Sequence, residues 1–203
     1  LLDGVRHMVM TTGTPPGSDR GAAVLAESAF AIKAALPPSR ALPIQGQCEP
    51  PDDDAWFQRM ADAGIDTLGM HLEVITPELR EKLMPGKAGV PVSRYLSAFE
   101  AAVKVFGRGQ VSTYVLAGLG DSRETILSTS ERLLQLGVYP FVVPFVPITG
   151  TPLEDHPAPD AAWMQSILEP LGRMTAAAGL RSADIKAGCG KCGACSSLAV
   201  YES

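Results

Sequence analysis

Five times along these 203 residues, a short run rich in β-branched or aromatic residues gives way to a longer stretch of helical period. That alternation is the pattern of repeated βα units on a parallel sheet. The expected strands are His7 to Thr12, Leu42 to Gln47, Thr67 to Leu72, Gln110 to Leu116 and Phe141 to Val146. Between them, Gly21 to Leu36, Asp53 to Ala63, Ser93 to Phe106 and Ser122 to Leu136 read as helices, the last two stopped by Gly107 and Gly137. Parallel strands joined by helical crossovers wind with one hand, which leaves an open doubly wound sheet or part of a barrel. Strands that neighbour one another in chain order favour the barrel. A closed eight-unit barrel takes ~250 residues, so five units predict a partial, open, TIM-barrel-like parallel β/α barrel. We assign it residues 1–180, including a proline-rich loop from Pro147 to Pro159 and a last helix from Ala161 to Ala178. Residues 181–203 form a cysteine-containing C-terminal tail without clear periodicity.

A hydrophobic content of 46% is enough for one full core. No apolar run approaches the ~20 residues that span a bilayer, so no membrane segment is expected. The formal charge of −5 is spread among mixed signs, and no Lys/Arg stripe exists to neutralise a phosphate backbone, so nucleic acid is not an expected partner. No charged region followed by an apolar stretch opens the chain, which makes reduced thiols in a cytoplasmic setting the expectation. The first residue is Leu1, and Leu1 to Val5 reads as a helix end followed by a loop, as if the chain began inside a longer polypeptide.

In either architecture ligands bind beyond the carboxyl ends of the strands. The residues there are Thr11-Thr12-Gly13-Thr14, Gln45-Gly46-Gln47-Cys48-Glu49, Met70-His71-Leu72-Glu73 and Ala117-Gly118-Leu119-Gly120-Asp121, with Pro144-Phe145-Val146-Pro147 at the end of the fifth strand. Glu73 at a strand mouth suits both hydroxyls of a ribose, or a salt bridge or helix cap; His71 shares its face by period two. Gln45 and Gln47 share a face too, and either line a polar cavity or bond each other. Gly118 and Gly120 allow close backbone approach to a ligand, or make a turn. The tail run Cys189-Gly190-Lys191-Cys192-Gly193-Ala194-Cys195 has the ferredoxin-like spacing that holds three irons of a [4Fe–4S] cluster. Zinc is the second option, and a disulfide or an empty tail the third. A fourth metal ligand would come from Cys48 or His156, although Cys48 reads equally well as a small buried hydrophobe.

The stretches Leu2-Asp3-Gly4-Val5-Arg6-His7-Met8-Val9-Met10-Thr11-Thr12-Gly13, Gly69-Met70-His71-Leu72-Glu73, Leu116-Ala117-Gly118-Leu119-Gly120-Asp121 and Ile185-Lys186-Ala187-Gly188-Cys189-Gly190-Lys191-Cys192 together resemble the radical S-adenosylmethionine (radical SAM) superfamily. The resemblance is to biotin synthase and, more narrowly, to a nitrilase-gene-cluster-associated radical SAM family. It implies a reduced [4Fe–4S] cluster that cleaves S-adenosylmethionine to methionine and a 5′-deoxyadenosyl radical, a small-molecule substrate, and a reductant such as flavodoxin or ferredoxin. It also implies that Thr11, Thr12 and Gly13 hold the methionine amino group, that Glu73, with His71 beside it, takes the ribose, and that Gly118, Leu119 and Val146 receive adenine. Arg94, or Tyr95 in its place, would meet the methionine carboxylate. The chain departs from the family in having no Cys-x3-Cys-x2-Cys motif, so the catalytic cluster's ligands are expected outside it. Cys189, Cys192 and Cys195 have x2-x2 spacing instead, and their position after the last helix resembles an auxiliary-cluster site. Two other readings stay open: a non-radical barrel enzyme with His71 and Glu73 in acid–base roles and structural zinc in the tail, and a non-catalytic electron-transfer or interaction module.

Overall fold

The computed structural model describes residues 4–37 and 39–203. The expected helix end at Leu1 to Asp3 and the first two residues of the resemblance stretch lie outside them. Among the described residues five strands, β1 (Met8–Thr11), β2 (Ile44–Gln47), β3 (Thr67–Gly69), β4 (Val111–Ala117) and β5 (Val138–Pro144), form one parallel sheet in chain order, with β1 and β5 as its edges. This is the expected open β/α barrel. Its helices are α1 (Ala22–Ala35), α2 (Ala55–Asp62), α3 (Pro77–Leu83), α4 (Pro85–Ala88), α5 (Val92–Phe106), α6 (Arg123–Leu136), α7 (Ala161–Ala177) and α8 (Cys189–Cys192).

Alternation along the strands separates two environments. Ile44, Leu68, Met70 and Val111 face the helices and join Phe57, Met60, Phe99 and Phe106 in one core cluster, while Val115 and Val142 join Ile126, Ile167 and Leu171 in the second. The other face turns inward: Val9, Gln45 and Thr67 share one row of the ladder, and Thr11, Gln47 and Gly69 the next. A sheet closed by helices on its outer face thus keeps its polar residues for the lumen.

Two strands differ from expectation. β3 ends at Gly69 rather than Leu72 because side chains intercept the ladder there: Leu72 N–H donates to Thr113 Oγ1 at 2.9 Å and Tyr114 N–H to His71 Nδ1 at 3.2 Å. Main-chain pairing resumes at Glu73, whose N–H reaches Tyr114 O at 2.8 Å. β5 starts at Val138, three residues before the expected Phe141, and stops short of Val146. Pro140 is tolerated within it because β5 is an edge strand, where a missing donor costs no ladder bond. Helix ends follow capping chemistry: Ser122 Oγ accepts from Thr125 N–H, and Gly137 ends α6 in the left-handed region at φ 88°. Pro170 lies inside α7, where it cannot donate to Ser166 O; Arg123 Nε donates to that carbonyl instead, at 3.1 Å.

The tail, aperiodic in sequence, folds as α8 between two short 3-10 turns and enters the lumen. Ala187 O accepts from Thr67 Oγ1 at 3.1 Å, Ser196 Oγ donates to Val142 O at 2.6 Å, and Tyr139 donates to Glu202 Oε1 at 2.6 Å. Among the described residues no helix is long and apolar enough to cross a membrane.

Candidate functional site

Glu73 marks the centre of the strand mouths. It follows β3 with φ +61°, a left-handed conformation uncommon outside glycine, which costs on the order of 1–3 kcal/mol and concentrates at functional positions. The conformation is over-determined from both sides. Glu73 O accepts from Leu116 N–H at 2.7 Å, and Asp121, after β4, accepts from Ile75 N–H at 2.7 Å and Thr76 N–H at 3.0 Å. Arg80 of α3, 2% exposed, donates to the carbonyls on either side of Glu73, Leu72 O and Val74 O.

Two cavities meet at Glu73 and Tyr114. The first, about 270 Å³, is polar and is lined by Thr11, Gly13, Thr14, Gln47, Cys48, Glu49, His71 and Lys87 as well as the two shared residues. The second, about 500 Å³, is largely apolar and is lined by Leu116, Val143 and Pro144 from the sheet, by Val146 just after β5, and by Ala194 and Cys195 from the tail. In the polar cavity Lys87 Nζ lies 2.7 Å from Glu73 Oε1 and 3.2 Å from Glu49 Oε1. Tyr95 donates to Glu49 Oε2; burial and the Glu49 carboxylate push its phenol upward, so it stays protonated as the donor.

His71 lines the polar cavity with its ring against Tyr114, centroids 4.5 Å apart. Burial, and then Lys87, push its pKa down to about 3. The imidazole is therefore neutral, and because Nδ1 accepts from Tyr114 the hydrogen is on Nε2, a buried atom without a partner among the described residues. An unfolded histidine titrates near 6.5, so between that value and about 3 the unfolded chain takes up a proton that the folded one refuses. Stability is fully present above pH 6.5 and is lost as pH falls. In urea unfolding, the wild type should lose about 2 kcal/mol more than His71→Gln between pH 7 and pH 5. Equal losses in the two proteins would contradict the neutral assignment.

The sequence-expected residues separate. Thr11, Gly13, His71, Glu73 and Val146 line the two cavities. Thr12 turns aside, donating to Gln47 O at 3.4 Å beside Gly21. Gly118 faces another hollow under Pro159, with its carbonyl bonded to His156 Nε2 at 2.8 Å, and Leu119 is buried. Arg94 pairs with Asp54 at 2.6 Å and donates to Pro51 O, away from both cavities, and Tyr95 reaches Glu49 instead. Gln45 and Gln47 do bond each other, at 2.9 Å, and Gln47 Nε2 also approaches Cys189 Sγ at 3.5 Å. The three tail cysteines are unequal: Cys189 is half-buried in the lumen, Cys195 is exposed at the border of the apolar cavity, and Cys192 is exposed and lines neither cavity. All four cysteines are free thiols, and burial with nearby carboxylates pushes Cys48 up to about 12. Among the described residues no three His, Cys, Asp or Glu side chains are arranged to hold one metal ion, so the triplet does not fit a shared ion in this arrangement.

Sequence reasoning missed Glu49 and Lys87 as a pair. Glu49 stood among the strand-mouth residues with nothing to single it out, and Lys87 belongs to a segment without helical period.

No protein-family model matches the chain. Over 125 residues, 61% of the chain, it is 32% identical to the bacteriochlorophyllide c C-7(1)-hydroxylase of Chlorobaculum limnaeum, covering 31% of that protein. Over 125 residues it is also 30% identical to a probable dual-specificity RNA methyltransferase RlmN of Moorella thermoacetica, covering 35% of it. The chain thus spans about a third of the length of these curated relatives. Among solved structures, HydG, a maturase of the [FeFe]-hydrogenase, superposes with a TM-score of 0.64 at 14% identity over 84% of this chain and 39% of that one, a likeness of fold. By sequence over three-fifths of its length the chain is similar to these two enzymes, and over most of its length its fold is similar to that of HydG.

Proposed function

We propose that the joined cavities bind S-adenosylmethionine, with its amino-acid end in the polar cavity and its nucleoside end in the apolar one, in an enzyme that abstracts hydrogen from a small molecule. The observation that carries this is the junction itself: a carboxylate at a strand mouth stands between a cavity with charges of both signs and one walled by aliphatic side chains. An amphipathic ligand with a zwitterionic head, a diol and a flat base matches that sequence of surfaces. Glu49, 3% exposed, suits the ammonium group and Lys87 the carboxylate, in the place expected of Arg94. Glu73 Oε2, opposite the Lys87 contact, suits the ribose hydroxyls.

When bound, S-adenosylmethionine and a reduced [4Fe–4S] cluster supply a 5′-deoxyadenosyl radical. The residues present orient that ligand and screen it from water. They include no Cys-x3-Cys-x2-Cys set, so the 203 residues alone should yield no 5′-deoxyadenosine after treatment with iron and sulfide. His71, neutral down to about pH 3, is a poor general base at neutral pH, which disfavours the acid–base reading of the pair. The mixed surface charge favours a small molecule over a nucleic acid as substrate.

Equilibrium dialysis with S-adenosylmethionine tests the binding. Loss of hydrogen bonds to a charged group is worth about 1.5–3 kcal/mol, so Glu73→Ala should weaken binding by about tenfold or more. Equal affinity in wild type and Glu73→Ala would sink the assignment.

A further inference from the structure

The tail is built into the barrel rather than trailing from it. Its path across the lumen is fixed at Thr67, Gln45, Val142 and Tyr139, and it delivers Ala194 and Cys195 to the apolar cavity opposite Val143 and Val146. Tyr114, shared by both cavities, has its phenol pushed upward by burial and by the Cys189 and Cys195 sulfurs beside it. Cys189 is held from the other side by Gln47, and its N–H donates to Gln45 Oε1 at 3.3 Å.

We propose that the tail is a wall of the nucleoside cavity and that Cys195 is a ligand-contact residue, touching the bound nucleoside from the side opposite the sheet. This rests on the reading that the joined cavities take S-adenosylmethionine. It assigns the three cysteines different work: Cys189 anchors the tail in the lumen, Cys195 borders the ligand, and Cys192 touches neither. The site belongs to a purine nucleoside because Leu116, Val143, Pro144 and Val146 offer flat aliphatic contact, and Glu73 stands at the rim where a ribose would emerge. A polarisable thiol against a purine face adds contact without a charge to desolvate. Any adduct on Cys195 then occupies ligand space, so covalent modification of this one thiol and nucleoside binding exclude each other.

Adenosine is the probe, since it needs neither cluster nor turnover. Binding is read by equilibrium dialysis, and N-ethylmaleimide labelling of each cysteine by peptide mass spectrometry. At roughly ten times Kd, adenosine should slow Cys195 labelling about tenfold, following the fraction of unoccupied sites, and leave Cys192 unchanged. Cys195→Trp should abolish adenosine binding, whereas Cys192→Ser should keep it. Adenosine that binds without slowing Cys195 overturns the proposal and leaves the cofactor assignment standing. Adenosine that fails to bind the wild type overturns both. Slowing of Cys192 and Cys195 alike also overturns it, because that reports a general closing of the tail.

Discussion

Arg80→Met should destabilise the protein by about 3–5 kcal/mol, a loss large enough to unfold many domains of this size. The guanidinium is 2% exposed and has no carboxylate partner among the described residues. Its donors go to four carbonyls: Leu72 O, Val74 O at 2.8 Å, and Lys87 O and Val90 O at 3.3 Å each, with the Tyr95 ring 5.2 Å from its carbon. Methionine fills much of the volume but leaves those acceptors buried without that donor, and each unsatisfied group costs about 1–3 kcal/mol. Lysine should not rescue, because one ammonium cannot reach two pairs of carbonyls that a planar fork bridges. The same residue ties the turn at Glu73 to the segment carrying Lys87, so a surviving variant should also bind S-adenosylmethionine less tightly. Urea midpoints measure the first effect and dialysis the second. A midpoint within the error of wild type would refute the clamp.

Arg80 also shows where reading from sequence runs out. The outward faces of β1, β2 and β4 were legible because apolar residues alternate with Thr11, Gln45, Gln47 and Tyr114, and helix ends were legible at Gly107 and Gly137. The end of β3 was not, since it depends on Thr113 and His71 side chains replacing ladder bonds across two strands. Helices α3 and α4 were missed because their short span is stabilised by a buried arginine rather than by an apolar stripe. At the site, Glu73 could be found as an acid just past a strand, a position defined locally. The convergence of Lys87, Glu49 and Cys195 on the same cavities could not, because residues from a short helix, a loop and the tail come together only through packing. Arg94 has the opposite lesson: a helix position after the acid says nothing about direction, and Asp54 with Pro51 O turns it outward.

Convergence through packing makes Gly188 the most sensitive point of the tail. Its φ is +105°, and a Cβ there would lie 2.2 Å from the Gln45 amide, itself fixed by Ser112 Oγ at 3.3 Å and by Gln47. Gly188→Ala thus combines a disfavoured backbone with an overlap that Gln45 cannot escape without breaking its bonds, a cost of about 2–4 kcal/mol. The tail's far end should hold, because Glu202 is bound by Tyr139 and by Ser182 N–H and Oγ at 2.9 and 2.7 Å, and Tyr201 lies against Gly172. The energy is then released locally: residues around α8 leave the lumen while the barrel stays folded. Cys189, half-buried against Gln47 in the wild type, should label with N-ethylmaleimide at the rate of Cys192 in the variant, and Cys48 should stay unlabelled in both. Losing Ala194 and Cys195 from the cavity wall should weaken adenosine binding at the same time. Faster labelling of Cys48 would instead mean global unfolding, and unchanged labelling of Cys189 would mean that Gly188 does not hold the tail in place.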